Sequence, residues 1–435
     1  MLSPSEESSS ATGRPVTTSW ASAERGRTVP PWLPPVVAAL GAIALLVCLG
    51  REISHVLGDY LLDVGVFRDA GAALLHGEPL YSKDFPTRSG FRFIYPPFAA
   101  LLFAPLAVLP EQLMEFLWTL ASVAAVFGTM GMAVRRLELR PWWMWAVGLT
   151  GAAVWLEPIR AHLMYGQINI FLILIVAADI FGFMPRKLRG LGIGVAAGIK
   201  ITPAAYAVVF LARRDWASVA RSCGFFLLTA VIGFLVRAQE SWYYWTVEFF
   251  RSDRGGPPPY PPNQALTGLL TRAGMSSDLA TTIMGPGFLV IAALSVWGAF
   301  RLERAGHHTA SFLLVILGIC IANPIAVTHH WSGIVVAIPL FAVLVLRLEE
   351  FPLRTPLTVA VGALLLANVL GLHSLYPDEQ KTFTFEPVKW LLGNSQGLTG
   401  IALFVVLLLV AARSQMFSGR HPLALASSDP ASDKS

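Results

Sequence analysis

The sequence predicts an all-α polytopic membrane protein, and three observations carry that prediction. Of the 435 residues, 55% are hydrophobic and only 14% charged, against about 25% charged in a typical soluble domain. The apolar residues come in repeated blocks of spanning length, a crossing needing about 20 mostly apolar residues for about 30 Å of hydrocarbon. Short basic clusters separate the blocks, the pattern that the positive-inside rule leaves behind. Those clusters account for the net charge of +5. No long Lys/Arg run and no basic helix with interleaved aromatics is present, which argues against a nucleic-acid partner.

Residues 1–30 are rich in Ser, Thr, Pro and charge without apolar periodicity, and are expected to form a disordered cytoplasmic tail. The membrane-embedded domain is expected over 31–413. A second disordered cytoplasmic tail, rich in Ser and Asp, is expected over 414–435. The first span is Leu33–Leu49, too far from the N-terminus and too poor in small cleavage-site residues to be a removed leader. Further blocks fall at about 111–134, 142–156, 167–184, 216–236, 283–300, 308–322, 331–347, 355–371 and 397–412. With the tail inside, alternation puts Arg135, Arg136 and Arg140 inside, then Arg186, Lys187 and Arg189, then Arg213 and Arg214, then Arg301 and Arg304, then Arg347 and Arg354. The long connectors 51–95 and 237–281 fall outside, and function is expected there.

Two apolar stretches do not read as single spans. Residues 96–109 are bounded by Pro96, Pro97 and Pro110, with Pro105 inside. Residues 190–212 have basic clusters on both flanks, so the chain must enter and return, with a break near Lys200-Ile201-Thr202-Pro203. The residue before a proline disfavours helix. Re-entrant backbone is tolerated only where protein or a wet cavity surrounds it, so both hairpins point to a site. Gly194 and Gly198 make a GxxxG step for close helix packing. Pro257 to Pro262 reads as a spacer, and Cys48, Cys223 and Cys320, without a CxxC pair, read as apolar packing residues.

Several polar groups could carry chemistry. From Val64 to Leu75 the spacing suits an amphipathic helix at the interface, with Asp63 as its N-cap and Gly77 just past its end. Asp63 has a second reading, as a general base at the exit of the first span. Phe93-Ile94-Tyr95-Pro96-Pro97-Phe98 places irregular backbone at headgroup depth. Glu157, Arg160, His162, Gln167 and Asn169 crowd a short outer connector, and polar groups on a spanning helix usually face the bundle interior. Lys200 either snorkels to the surface or is a fixed cation for an anionic ligand. His329 and His330 are adjacent on the chain, so on a helix they diverge by about 100° and are poor co-ligands; no metal site is expected. One of the two is expected to face a polar cavity. His307 and His308 read as solvated surface on the cytoplasmic side.

Taken in order, Asp63…Arg68…Leu74-Leu75-His76-Gly77…Leu80-Tyr81, Phe93-Ile94-Tyr95-Pro96-Pro97, Gly166-Gln167-Ile168-Asn169, Gly198-Ile199-Lys200-Ile201-Thr202-Pro203 and His329-His330-Trp331 resemble glycosyltransferase family 87. The resemblance covers about residues 60 to 335. It implies a GT-C-like bundle of about 10–12 transmembrane helices, with re-entrant hairpins and large extracytoplasmic loops. It further implies an enzyme of the cell membrane that moves a hexose from a polyprenyl-phosphate donor, at the outer face, to a glycolipid or glycan acceptor, inverting the anomeric centre. Mannose is the implied sugar; arabinofuranose or another sugar stays open. Asp63 matches the family's catalytic aspartate. Lys200, Arg160 and His329 or His330 are the implied partners of the leaving phosphate, and Tyr95, Gln167 and Asn169 would line the sugar pocket. No cofactor is implied. The family's histidine pair often follows a Ser-Trp-Asp-like run; here Ala326-Val327-Thr328 stands in its place, without the acid.

A polytopic transporter or lipid flippase is the competing class, since it would share spans, broken helices and polar groups inside the membrane. The halves of this chain show no convincing inverted repeat, and a long outer loop opening on a carboxylate favours an enzyme.

Overall fold

The computed structural model describes residues 29–414 apart from 83, 84, 86, 252–255, 348–352, 378–382 and 384. The two expected tails lie almost wholly outside these residues. Eighteen α-helices follow in order. They are α1 (Leu33–Gly58), α2 (Leu62–His76), α3 (Pro97–Ala107), α4 (Glu111–Arg136), α5 (Trp142–Ala153), α6 (Glu157–Tyr165), α7 (Asn169–Ile180), α8 (Leu191–Ile199) and α9 (Ala207–Ala212). Then come α10 (Trp216–Val236), α11 (Ala238–Thr246), α12 (Leu266–Arg272), α13 (Ser277–Arg304), α14 (His308–Ala322), α15 (Ala337–Leu346), α16 (Arg354–Leu370), α17 (Pro387–Gly393) and α18 (Ser395–Arg413). Among the described residues the sole β feature is a single bridge between Asn263 and Val327.

The chain is a polytopic membrane protein. Among the described residues six segments are long and apolar enough to cross a membrane: α1, α4, α10, α13, Thr328–Leu346 and α18. Shorter apolar helices, among them α3, α7, α14 and α16, accompany them. Only 17% of the apolar window is buried in α1, α10 and α13, against 67% in Thr328–Leu346. The first three are therefore peripheral and face lipid, and the last is central. Cys223 shows this on a small scale: it is exposed on α10, whereas Cys48 and Cys320 are buried. The packing role expected for Cys223 is not observed, because α10 turns that face outward.

The hairpin expected over 190–212 is present. Asp179 near the end of α7 accepts from the backbone N–H of Gly190 at 2.8 Å and of Ile193 at 2.9 Å. On the return, Arg213 donates to the Ile180 carbonyl at 2.7 Å, and Arg189 lies 3.8 Å from Asp215. Both ends of the hairpin thus meet one end of α7, while Lys200 at its tip reaches Asn169 at the other. The helix breaks where Thr202-Pro203 demands it, continuing as a 3-10 turn over Thr202–Tyr206. The GxxxG step does what its spacing implies. A Cβ on Gly194 would fall 2.6 Å from the Ser222 carbonyl, and one on Gly198 would meet Thr229 at 2.0 Å, so α8 packs directly on α10. The other short helix, α3, starts at Pro97 and runs eleven residues, about 16 Å, too short to cross.

Two surface assignments are corrected. His307 is 4% exposed, and His308 Nδ1 lies 2.5 Å from Glu303. The pair is not solvated surface, because Glu303 from α13 folds under the start of α14. The proline-rich 257–262 stretch is not a free spacer. Its carbonyls accept from Asn263, Gln264 and Arg272.

Candidate active site

The outer helix α2 begins where Leu61 N–H is captured by the Glu115 carboxylate of α4 at 2.9 Å. Asp63 is not the cap expected of it. The N-cap position is Leu61, no side chain caps the helix, and Asp63 sits in its first turn. The helix starts earlier than its apolar periodicity suggested because its first donor is satisfied from 54 residues away. Its end is as expected: Gly77 is left-handed, with φ 75°, where a glycine carries no steric penalty.

Freed from capping, Asp63 accepts a hydrogen bond from Gln167. Gln167 follows Gly166, whose φ of 69° ends α6 and turns the chain into α7. Asn169, the first residue of α7, donates from Nδ2 to Gln167 Oε1 at 3.3 Å and to the His329 carbonyl at 3.2 Å. Its Oδ1 accepts from Lys200 Nζ at 2.9 Å. The result is a continuous chain, Lys200 to Asn169 to Gln167 to Asp63. Every donor points from the cation towards the carboxylate, an alignment in which each bond polarises the next. Burial nevertheless dominates at Asp63 and pushes its carboxyl up to about 6, against the opposing pull of Gln167 and Lys200. A carboxylate poised there can accept a proton near neutral pH.

Tyr95 completes this wall. Its carbonyl accepts from Tyr81 Oη at 2.6 Å, its ring packs edge-on against Phe67 of α2, and Lys200 Nζ lies 5.9 Å from its ring centre. Opposite, His330 lines a cavity of about 40 Å³ together with Lys200, Asn169, Thr202, Asn323 and Tyr206. His329 packs against Tyr165 and against His330, at 6.2 and 4.8 Å between ring centres. Of the two histidines, His330 is the one that lines this cavity.

Seven of the eight residues singled out in the sequence therefore come together: Asp63, Tyr95, Gln167, Asn169, Lys200, His329 and His330. Arg160 is placed differently. It donates to Glu157 at 2.7 Å and to the Val369 carbonyl at 3.0 Å, beside the end of α16. Sequence reasoning did not single out Thr202, Asn323 and Tyr206 as site residues. Thr202 and Asn323 each precede a proline, and that shared signal of broken backbone could have marked them. Tyr206 had no such signal.

The arrangement defines a class: a polytopic membrane protein with an acid and a cation joined through two amides inside its bundle. Comparison with known proteins makes this specific. The pattern of glycosyltransferase family 87 matches residues 93–324, and the chain belongs to that family; it is a membrane glycosyltransferase. A polyprenol-phosphate-mannose-dependent alpha-(1-2)-phosphatidylinositol mannoside mannosyltransferase of Mycobacterium tuberculosis is 30% identical over 367 residues, covering 79% of this chain and 83% of the relative. An enzyme with the same description from Mycolicibacterium smegmatis is 31% identical over 381 residues, covering 81% and 84%. A polyprenol-phosphate-mannose-dependent alpha-(1-2)-phosphatidylinositol pentamannoside mannosyltransferase from M. smegmatis is 33% identical over 317 residues, covering 72% and 70%. No solved structure matches the chain.

Proposed function

We propose that this glycosyltransferase moves a mannosyl residue from a polyprenyl-phosphate donor to an acceptor of the phosphatidylinositol mannoside type, at the outer face of the cell membrane, with Asp63 as general base. The observation that carries this reading is the hydrogen-bonded chain from Lys200 through Asn169 and Gln167 to Asp63. It sets a proton acceptor and a fixed cation on one polar wall, which is what displacement of a phosphate by a hydroxyl requires. Asp63 takes the proton of the acceptor hydroxyl. The oxygen forms the new bond to the anomeric carbon, the old carbon–oxygen bond to phosphate breaks with inversion, and polyprenyl phosphate leaves with the electron pair. Lys200 and His330 stabilise the charge that develops on the leaving phosphate, an effect that mutagenesis of preorganised donors elsewhere puts at about 10²–10³ in rate. Gln167, Asn169 and Tyr95 hold the sugar.

The donor follows from the relatives' descriptions, all of which specify polyprenol-phosphate-mannose. Charge supports this sidedness: Arg189, Arg213, Arg214, Arg301 and Arg304 lie at or beyond the ends of helices remote from the Asn169 end of α7, and such basic ends are the ones that the positive-inside rule favours in the cytoplasm. The test is donor choice. Membranes containing the protein should transfer label from polyprenyl-phosphate-mannose and not from polyprenyl-phosphate-arabinofuranose; the reverse preference would replace the sugar in this reading.

A further inference from the structure

The backbone leading into His329 and His330 is held by a second outer loop that the functional reading leaves unused. The segment 323–327 is irregular, bent at 323 and 324, Pro324 lacks an N–H, and its one internal hydrogen bond among the described residues is a long one, from Ile325 N–H to Asn323 Oδ1 at 3.4 Å. Asn263 supplies the missing restraint. Its Oδ1 accepts the Ala326 N–H at 3.0 Å and the Ala265 N–H at 3.2 Å. Gln264 N–H donates back to the Ala326 carbonyl at 3.0 Å, and the same carbonyl accepts from Trp331 Nε1 at 3.2 Å. The Ala326 peptide is thereby held through both its N–H and its C=O. Asn263 and Val327 form the β-bridge. The 3-10 turn Thr328–Val336 starts at the next residue, with no side-chain cap of its own.

Asn263 is in turn immobilised. It is fully buried, its Nδ2 donates to the Pro258 carbonyl at 2.9 Å, and its own carbonyl accepts from Arg272 at 2.6 Å. Arg272 is also fully buried and spends its other donors on the Tyr260 carbonyl and on Asn394 Oδ1. Among the described residues its hydrogen bonds go to carbonyl and amide oxygens and to no carboxylate. A buried guanidinium held in this way is costly to desolvate, and what it secures is the backbone of Asn263. Gln264 extends the clamp to α17 and α18 through the Gly393 carbonyl and the Gly397 N–H.

We propose that Asn263 is a positioning residue for the transfer reaction: through Ala326 and Val327 it sets the register of the turn at Thr328 and so aims His330 into the cavity beside Lys200. This inference rests on the functional reading above. Asn263 touches no substrate in it. A displacement of about 1 Å at a catalytic contact can cost about 100-fold in rate, and loss of the Asn263 Oδ1 acceptor leaves the Ala326 N–H without that restraint while the bonds to its carbonyl remain.

The experiment is a double-mutant cycle on mannosyl transfer in detergent-solubilised full-length protein. Asn263→Ala is expected to lower kcat about 100-fold with the donor KM little changed. Asn263→Asp keeps an acceptor for the Ala326 N–H but gives up the Nδ2 bond to Pro258, and is expected to retain more activity than Asn263→Ala. In a His330→Ala background, Asn263→Ala should add no further loss, since both substitutions remove one contact. Wild-type kcat in Asn263→Ala, or losses that multiply in the double variant, would overturn the proposal. If Asn263→Ala does not accumulate, Thr267→Val replaces it, because Thr267 Oγ1 donates to the Pro324 carbonyl of the same segment; the same cycle decides. Hydrogen exchange of the 324–331 backbone separates the two readings. Exchange speeded by Asn263→Ala, and less so by Asn263→Asp, upholds the clamp even if wild type moves a different sugar, whereas exchange unaltered by Asn263→Ala removes it.

Discussion

Two buried charge networks sit at the two ends of α7, and they are built in opposite ways. At the Ile180 end, Arg213 meets Glu303 twice, at 2.8 and 3.2 Å, and gives a third donor to the Ile180 carbonyl at 2.7 Å. His308 meets the same carboxylate at 2.5 Å. Charge is matched within the network, and its donors are spent on protein. At the Asn169 end the acid and the cation do not meet. Two amides stand between Asp63 and Lys200, and the lysine borders a cavity. A closed ion pair ties helices α9, α13 and α14 into one unit. An open one, with its charges held apart, keeps a place for a reacting group. The two lie at opposite ends of the twelve-residue α7, about 17 Å apart along its axis.

Substitutions at the two ends should therefore fail in different ways. Asp63→Asn keeps shape and removes the proposed base; transfer should fall about 1,000-fold at unchanged expression, read by product formation under saturating donor. Lys200→Met should cost about 100-fold and also move the pH profile. Only the ionised Asp63 accepts a proton, so kcat/KM should rise with pH through about 6 and level off above. Lys200 favours that ionised form; removing it should shift the acid limb upward, and a downward shift would contradict the relay. At the closed end, Glu303→Gln should leave turnover per folded molecule unchanged while lowering stability by about 3 kcal/mol, measured as the thermal midpoint. The smallest effect is expected at Arg160. Its guanidinium is committed to Glu157 and the Val369 carbonyl, so Arg160→Met should hold transfer within about threefold of wild type.

The same contrast explains what could be read in the sequence. Apolar run length requires no tertiary information, and the blocks at 216–236 and 308–322 coincide with α10 and α14. The break at Lys200 was legible because Thr202-Pro203 is a local steric signal. The role of Asp63 in its helix was not, since the helix starts at Leu62, with the Leu61 N–H held by Glu115 of another helix and the Gly65 N–H already bonded to the Leu61 carbonyl. Nor was the burial of His307 and His308, where the governing pair, Arg213 and Glu303, is 90 residues apart. Arg160 looked like a site cation because it stands close in sequence to Gln167 and Asn169. Gly166 and the start of α7 turn those two inward, while Glu157, one helical turn before Arg160, keeps the arginine beside α16. Local chemistry marked which residues were unusual, and long-range partners decided which of them converge.

The proposed role of Asp63 as base of a polyprenyl-phosphate-mannose-dependent transfer rests on its place at the end of the chain from Lys200. It is tested most directly by supplying radiolabelled polyprenyl-phosphate-mannose and a phosphatidylinositol mannoside acceptor to membranes holding equal amounts of wild type or Asp63→Asn, and counting label in the acceptor. The account predicts labelled glycolipid from wild type and about a thousandth of it from the variant. Equal label from both would contradict it.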